Sequence, residues 1–303
     1  MVPTKHIALV IGSLRGGGTE RVCVTLANEL ASRGYRVDLV VLNLRNAKYE
    51  HEVSDRVRLI DLGVRAVRVG FVALRRYLRE SRPKVVMTFA PQLSVAIVLL
   101  RLTGLPKCGL LARTGTILTH KRKHAQDFWN RYISPALTRW LYSKADLIVA
   151  QSKGMARDLV ANHNVPEDKV VTIPNPISPR VLSVSHSFSF HHSRSGNVLF
   201  VGRLDPPKDP LFLLRAFRMC ADVDPHLHLH VIGTGAMQEE VEVVIRELGL
   251  ADRVTLHGFR RDVADFYNRA SVTVLCSKYE GLPNCLIESI ALGTPVVAVD
   301  CDH

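Results

Sequence analysis

No uninterrupted apolar run in this 303-residue chain reaches the ~18–20 residues that cross a bilayer. The most apolar long stretch, residues 93–111, is broken by Arg101 and Lys107. The first apolar run, residues 7–11, is too short for a signal peptide and flows into glycines rather than a cleavage site. Six cysteines, at 23, 108, 220, 276, 285 and 301, form no CxxC pair and no Cys–His spacing of a zinc site. They read as buried thiols in a reducing cytosol. Aromatics are 6% of the residues and are seldom interleaved with basic ones, and no nucleic-acid module is present, so nucleic acid is not an expected partner. Acidic residues are scarce in one half only. Residues 1–150 carry 25 Lys and Arg against 10 Asp and Glu, and residues 151–303 carry 15 against 18. That split turns the first half toward a polyanion or an anionic membrane surface. Arg75, Arg76, Arg79 and Arg82 recur near helical spacing and can share a face.

What is present is globular: 47% hydrophobic and 22% charged, with length enough for two domains at ~150 residues each. Residues 6–11 read as a buried strand, a glycine loop follows, and Val22, Leu26 and Leu30 then repeat at helical spacing until Gly34 stops them. Residues 36–42 form the next strand, making a βαβ unit and implying a parallel sheet. Further strands are expected at 84–88, 109–112, 147–150 and 170–173. Residues 178–196 are Ser-rich, with His186, His191 and His192, and read as an exposed linker rather than a metal site. The α/β rhythm then restarts, with strands at 197–201, 227–232, 254–256, 272–275 and 295–299 and helices between them. The expected organisation is a first domain at 1–177, a linker at 178–196 and a second domain at 197–303.

Three segments carry chemistry. Gly12-Ser-Leu-Arg-Gly16-Gly17-Gly18-Thr-Glu-Arg21 lets backbone approach a ligand and opens a helix whose amides face an anion, although it matches neither GxGxxG nor a P-loop. Gly202-Arg203-Leu-Asp-Pro-Pro-Lys208 sets two cations five residues apart at the C-terminal edge of a parallel sheet, where a diphosphate can be clamped. Glu280-Gly-Leu-Pro-Asn-Cys-Leu-Ile-Glu288 brackets a helix start with carboxylates. The amides of Asn284, Cys285 and Leu286 then suit phosphate, with hydroxyl-bearing groups on either side.

In this order and spacing, the GGGTER loop, the GRLxxxK loop and the Glu-x7-Glu segment resemble retaining glycosyltransferases of the family 4 type. Ile173-Pro-Asn175, Gly233-Thr-Gly235 and Gly258-Phe259 agree with that resemblance. It implies a GT-B fold, two Rossmann-like domains with parallel sheets facing across a cleft. It also implies transfer of a sugar from a nucleotide-sugar, UDP by family frequency, to a lipid-linked or polysaccharide acceptor in surface glycan synthesis. By position, Arg203 and Lys208 would bind the donor diphosphate, with Asn284 and Cys285 amides on the distal phosphate and Gly17 and Gly18 across the cleft. Glu288 would bind the ribose, His257, Gly258 and Phe259 would lie beside the base, and Glu280 would face the transferred sugar. His120 matches a histidine that some relatives place near the reacting sugar. No metal or cofactor is implied, since the two cations and a helix start neutralise the leaving diphosphate, and no Asp-x-Asp stands in a suitable loop. The enzyme would sit in the cytoplasm, peripherally on the inner membrane face. Relatives usually continue past the last strand with further α/β units, so the second domain reads as shortened. The alternatives are a GT-B nucleotide-sugar epimerase and a non-catalytic nucleotide-binding remnant.

Overall fold

The run His6–Ile11, apolar apart from its first residue, forms the centre of a sheet, and its carboxyl end opens directly into the glycine loop. The computed structural model describes residues 5–64, 67–105, 107–115, 117, 119, 134–185 and 196–301. The chain divides into two compact units between Pro176 and Ile177.

In the first unit the strands are β1 His6–Ile11, β2 Arg36–Val41, β3 Val57–Asp61, β4 Val85–Thr88, β5 Gly109–Arg113, β6 Leu147–Ala150 and β7 Val170–Thr172. They pair in parallel in the order β3-β2-β1-β4-β5-β6-β7. Parallel strands need crossovers, and the helices α1 Gly18–Ser32, α2 Val67–Ser81, α3 Pro91–Leu102, α4 Ser134–Leu141 and α5 Lys153–His163 lie in those crossovers. Burial on both faces makes the central strands continuously apolar. The buried residues of α1 are Val22, as expected, with Cys23, Val24, Ala27 and Ala31, while the expected Leu26 and Leu30 are only partly buried, because small residues let the helix approach the sheet closely.

The second unit opens with a correction. Residues 179–185, expected within an exposed linker, form helix α6 Pro179–Ser185, and Val181 is buried in this unit's core. The expected linker histidines His186, His191 and His192 lie outside the described residues. The strands β8 Asn197–Val201, β9 His228–Ile232, β10 Val254–Gly258, β11 Val272–Leu275 and β12 Val296–Ala298 pair in parallel in the order β10-β9-β8-β11-β12. Between them run α7 Pro210–Val223, α8 Gln238–Glu247, α9 Val263–Arg269 and α10 Asn284–Ala291, and α6 packs on α9 and α10. Strand order reverses beside β1 in one sheet and beside β8 in the other, the Rossmann-like arrangement that leaves a crevice at the carboxyl ends.

The cysteines are all free, and Cys220 is exposed rather than buried. No helix among the described residues is long and apolar enough to cross a membrane.

Candidate functional site

β8 and β11 are the neighbours at which the second sheet reverses direction, and residues 202–209 and 276–283 leave their carboxyl ends side by side. The first of these loops is stitched to the turn after β9. The Leu204 amide donates to Thr234 O at 3.2 Å, and the Met237 amide donates to Leu204 O at 2.8 Å. Glycine is obligatory in that turn. Gly233 has φ +136°, and a Cβ on Gly235 would lie 2.3 Å from Leu204 O. Asp205 accepts from the Ala236 amide at 3.0 Å and pairs with Arg203 at 3.1 Å. Arg203 is nevertheless 63% exposed, so its guanidinium is held in place yet open to a ligand.

Lys208 ends a single 3-10 turn, Pro206–Lys208. Asp209 follows in the left-handed region (φ +45°), a conformation an L-residue adopts at a cost, and caps α7 through the Phe212 amide. Its carboxylate also pairs with Lys278 at 3.2 Å, while the Lys278 amide donates to Pro207 O at 2.9 Å. These contacts lock the two loops together. Lys208 Nζ thereby meets Oε1 of Glu280, and Ser277 Oγ donates to the same oxygen at 2.6 Å. Burial raises the Tyr279 hydroxyl above its ordinary pKa, with Arg203 opposing and Glu280 reinforcing.

Pro283 takes the N-cap position of α10 with no side-chain cap. The Leu286 amide, expected to face an anion, instead donates to Pro283 O at 3.2 Å. Glu288 lies in the second turn and is only 3% exposed, with Tyr267 of α9 donating to Oε2 at 3.3 Å. A carboxylate removed from water requires such partners.

Along the other edge, β9 and β10 carry a row of imidazoles. His228 Nε2 lies 2.8 Å from Thr255 Oγ1, His230 Nδ1 lies 3.0 Å from His257 Nε2, and Asn197 Oδ1 approaches His230 Nε2 at 3.3 Å. Register shifts between Leu256 and Gly258, so His257 is the additional residue of a β-bulge, the device that re-aims a side chain beside a site. The ring meets Phe266 edge-on at 4.7 Å, and Arg260 stacks over Phe266 while gripping Asp262. Among the described residues no cluster of His, Cys, Asp and Glu has a metal-holding arrangement.

The structure therefore gathers Arg203, Lys208, Glu280, Glu288 and the start of α10 on one unit. Gly17 and Gly18 lie in the other, at the first turn of α1, where a Cβ on Gly17 would meet the Glu20 carboxylate at 2.3 Å. His120 lies outside the described residues. On α2 the exposed stripe is Val69, Val72, Arg76 and Arg79, the two valines 69% and 68% exposed, while Arg75 is half-buried.

Sequence reasoning missed Ser277, Tyr279, Asp205 and Asp209. Only Asp209 carried a signal, an acidic residue directly before Pro210 at a helix start. Ser277 matters through a contact within its own loop and Asp205 through the turn after β9, contacts between particular atoms that no residue-type pattern reports.

Comparison with known proteins finds a family for each of the two units. Residues 16–181 match the family described as Glycosyltransferase Family 4, and residues 195–303 match Glycosyl transferases group 1. The chain is 27% identical to N-acetylgalactosamine-N,N'-diacetylbacillosaminyl-diphospho-undecaprenol 4-alpha-N-acetylgalactosaminyltransferase of Campylobacter jejuni, over 98% of this chain and 81% of that protein. It is 26% identical to the amylovoran biosynthesis glycosyltransferase AmsD of Erwinia amylovora, with the same coverage of 98% and 81%. Among solved structures, Anabaena HepE in complex with UDP-glucose superposes with a TM-score of 0.74 at 18% identity, covering 98% of this chain and 81% of that one. Sucrose-phosphate synthase of Thermosynechococcus elongatus reaches 0.80 at 20% identity, covering 98% and 82%.

Proposed function

Because this chain belongs to glycosyltransferase family 4 and has the two parallel-sheet units of the GT-B fold, we propose that it moves a hexose or N-acetylhexosamine from a UDP-sugar to a lipid-linked or polysaccharide acceptor, with retention of configuration. The observation that carries this reading is the meeting of Lys208 and Glu280 where the second sheet reverses. A cation for a diphosphate and a carboxylate for a sugar stand side by side there.

Chemistry follows from charge. Departure of the nucleotide leaves negative charge on the diphosphate and positive character on the sugar ring. Arg203, Lys208 and the amides at the start of α10 stabilise the first without a metal ion, and Glu280 stabilises the second. In front-face transfer the acceptor hydroxyl bonds to the anomeric carbon as the phosphate oxygen leaves, and its proton passes to that oxygen. Glu288, oriented by Tyr267, takes the ribose hydroxyls. With so little of its surface exposed, it is reached only by a nucleotide fully seated at α10. The loop at His257, Gly258 and Phe259 lines the base.

The acceptor side supports a membrane-linked substrate. Val69 and Val72 beside Arg76 and Arg79 give α2 an apolar strip continuous with a basic one, complementary to an anionic lipid surface. This supports a peripheral position on the inner membrane face.

The first test is a thermal-shift panel of UDP-, GDP- and ADP-sugars, followed by turnover with a prenyl-diphosphate glycan acceptor. Ligand at 100 times its dissociation constant stabilises by ~2.7 kcal/mol. A UDP-sugar shifting the midpoint and being consumed only with acceptor present supports the reading. Interconversion of the sugar without transfer would replace it with an epimerase, and binding without turnover would replace it with a nucleotide-binding remnant.

A further inference from the structure

Ser277 is 2% exposed, two residues past the end of β11. A hydroxyl so deeply buried needs an internal acceptor, and Ser277 gives its proton to Oε1 of Glu280 at 2.6 Å. Lys208, from the neighbouring loop, meets the same oxygen. Both side chains thus converge on Oε1, so the position of that atom is fixed by the loops that follow β8 and β11. The two loops are in turn clipped by Lys278, through its amide to Pro207 O and its ammonium to Asp209.

We propose that Ser277 is a positioning residue: with Lys208 it occupies Oε1 of Glu280 and turns Oε2 toward the transferred sugar. This rests on the assignment of Glu280 to the sugar given above. The two contacts differ in permanence. A donor diphosphate competes with Glu280 for Lys208, whereas nothing in the donor competes for a buried serine. Once the donor is bound, Ser277 becomes the contact that keeps the carboxylate in register with the reacting carbon. Loss of such a support shows in the chemical step rather than in binding.

The experiment uses the full chain with Ser277→Ala, Ser277→Cys and Ser277→Thr. Cysteine fills the volume of serine but donates poorly, and threonine keeps the hydroxyl. Transfer rates are measured with the UDP-sugar found in the panel, UDP affinity by titration calorimetry, and folding by melting midpoint. Ser277→Ala and Ser277→Cys are expected to lower kcat by about tenfold or more, the scale of a hydrogen bond to a charged group, with UDP affinity within about twofold of the parent. Ser277→Thr is expected to recover most of the lost rate. Full kcat in either Ser277→Ala or Ser277→Cys overturns the proposal, as does a parallel fall of kcat and UDP affinity. If the unmodified chain turns over no nucleotide-sugar, the functional reading has failed and the proposal falls with it. An active parent beside an equally active Ser277→Ala defeats the positioning role alone.

Discussion

His257 and His230 share one hydrogen bond, Nε2 to Nδ1 at 3.0 Å, and the residues around them determine which ring donates. Asn197 gives its Nδ2 protons to Arg269 O at 3.3 Å, so its Oδ1 accepts from His230 Nε2. His230 Nδ1 is then the lone pair that receives the proton of His257 Nε2. The row holds with both rings neutral or with one added proton on either ring, whereas two added protons would set N–H against N–H.

Stability is therefore expected to fall on mild acidification. Burial, then His228 and His257, hold His230 below the ordinary imidazole value. Burial, then Arg260 and His228, with Asp262 opposing, do the same for His257. Unfolded imidazoles take protons near pH 6.5, whereas the folded pair takes them only at lower pH, so between those limits the unfolded state binds more protons. Stability contributed by the pair is complete above about pH 6.5 and is lost as pH falls through the folded values. Urea melts at pH 7.5 and 5.5, on the parent and on His230→Gln, check this. The parent should lose more stability between the two pH values than the variant does, and equal losses would remove the histidine row as the cause.

The two carboxylates of the Glu-x7-Glu segment are expected to fail differently. Glu288→Gln should weaken donor binding with modest change in kcat, because ribose contacts are the same in ground and transition states. Glu280→Gln should lower kcat by about 10²-fold, because its charge acts on the developing oxocarbenium. Arg203→Ala and Lys208→Ala should lower both quantities. Donor titrations with initial rates separate these patterns, and full kcat in Glu280→Gln would dissolve the role given to it.

Binding to vesicles with anionic headgroups should be lost at high salt and absent for neutral vesicles. Each basic residue near such a surface contributes ~1 kcal/mol. Co-sedimentation of the parent, Arg76→Glu/Arg79→Glu and Val69→Asp/Val72→Asp tests whether α2 is the element in contact. Parent-like binding by both double variants excludes that helix.

Gly235→Ala is expected to destabilise the second unit by about 1–3 kcal/mol, since the new methyl meets the Leu204 backbone and neither can yield. Gly12→Ala, with open space around it, is the control. Denaturant melts of both decide the matter, and equal midpoints would mean that the Arg203 loop does not rest on the β9 turn.

Periodicity reported most of the fold because parallel strands buried on both faces read as short apolar runs, as at His6–Ile11 and Asn197–Val201, which match residue for residue. It missed α3, which is apolar on nearly every side and so has no amphipathic period. It misplaced the face of α1, where Ala27 and Ala31 are buried ahead of larger neighbours. The segment at 179–185 looked like linker because it runs into the Ser-rich stretch of residues 183–195, whereas Val181 is buried in the core. Arg203, Lys208, Glu280 and Glu288 were legible because their spacings are local. Ser277 was not, because its importance lies in which oxygen of Glu280 it meets.

The pairing of β8 with β11 also has a kinetic meaning. Val198 and Val272 pair across a much longer stretch of chain than Val198 and Leu229 do, so closing that register costs more chain entropy. The β8–β9–β10 half can form from nearer contacts, and β11 is expected to join after it, bringing Ser277 and Glu280 to Lys208. Amide hydrogens of β11 should accordingly exchange faster than those of β8, and a bound nucleotide should slow them selectively. Protection uniform across both strands would show instead that the sheet opens as one unit. Selective slowing by nucleotide would mean that a bound donor stabilises the strand whose closure costs the most chain entropy, so that nucleotide concentration would set how often the site is assembled.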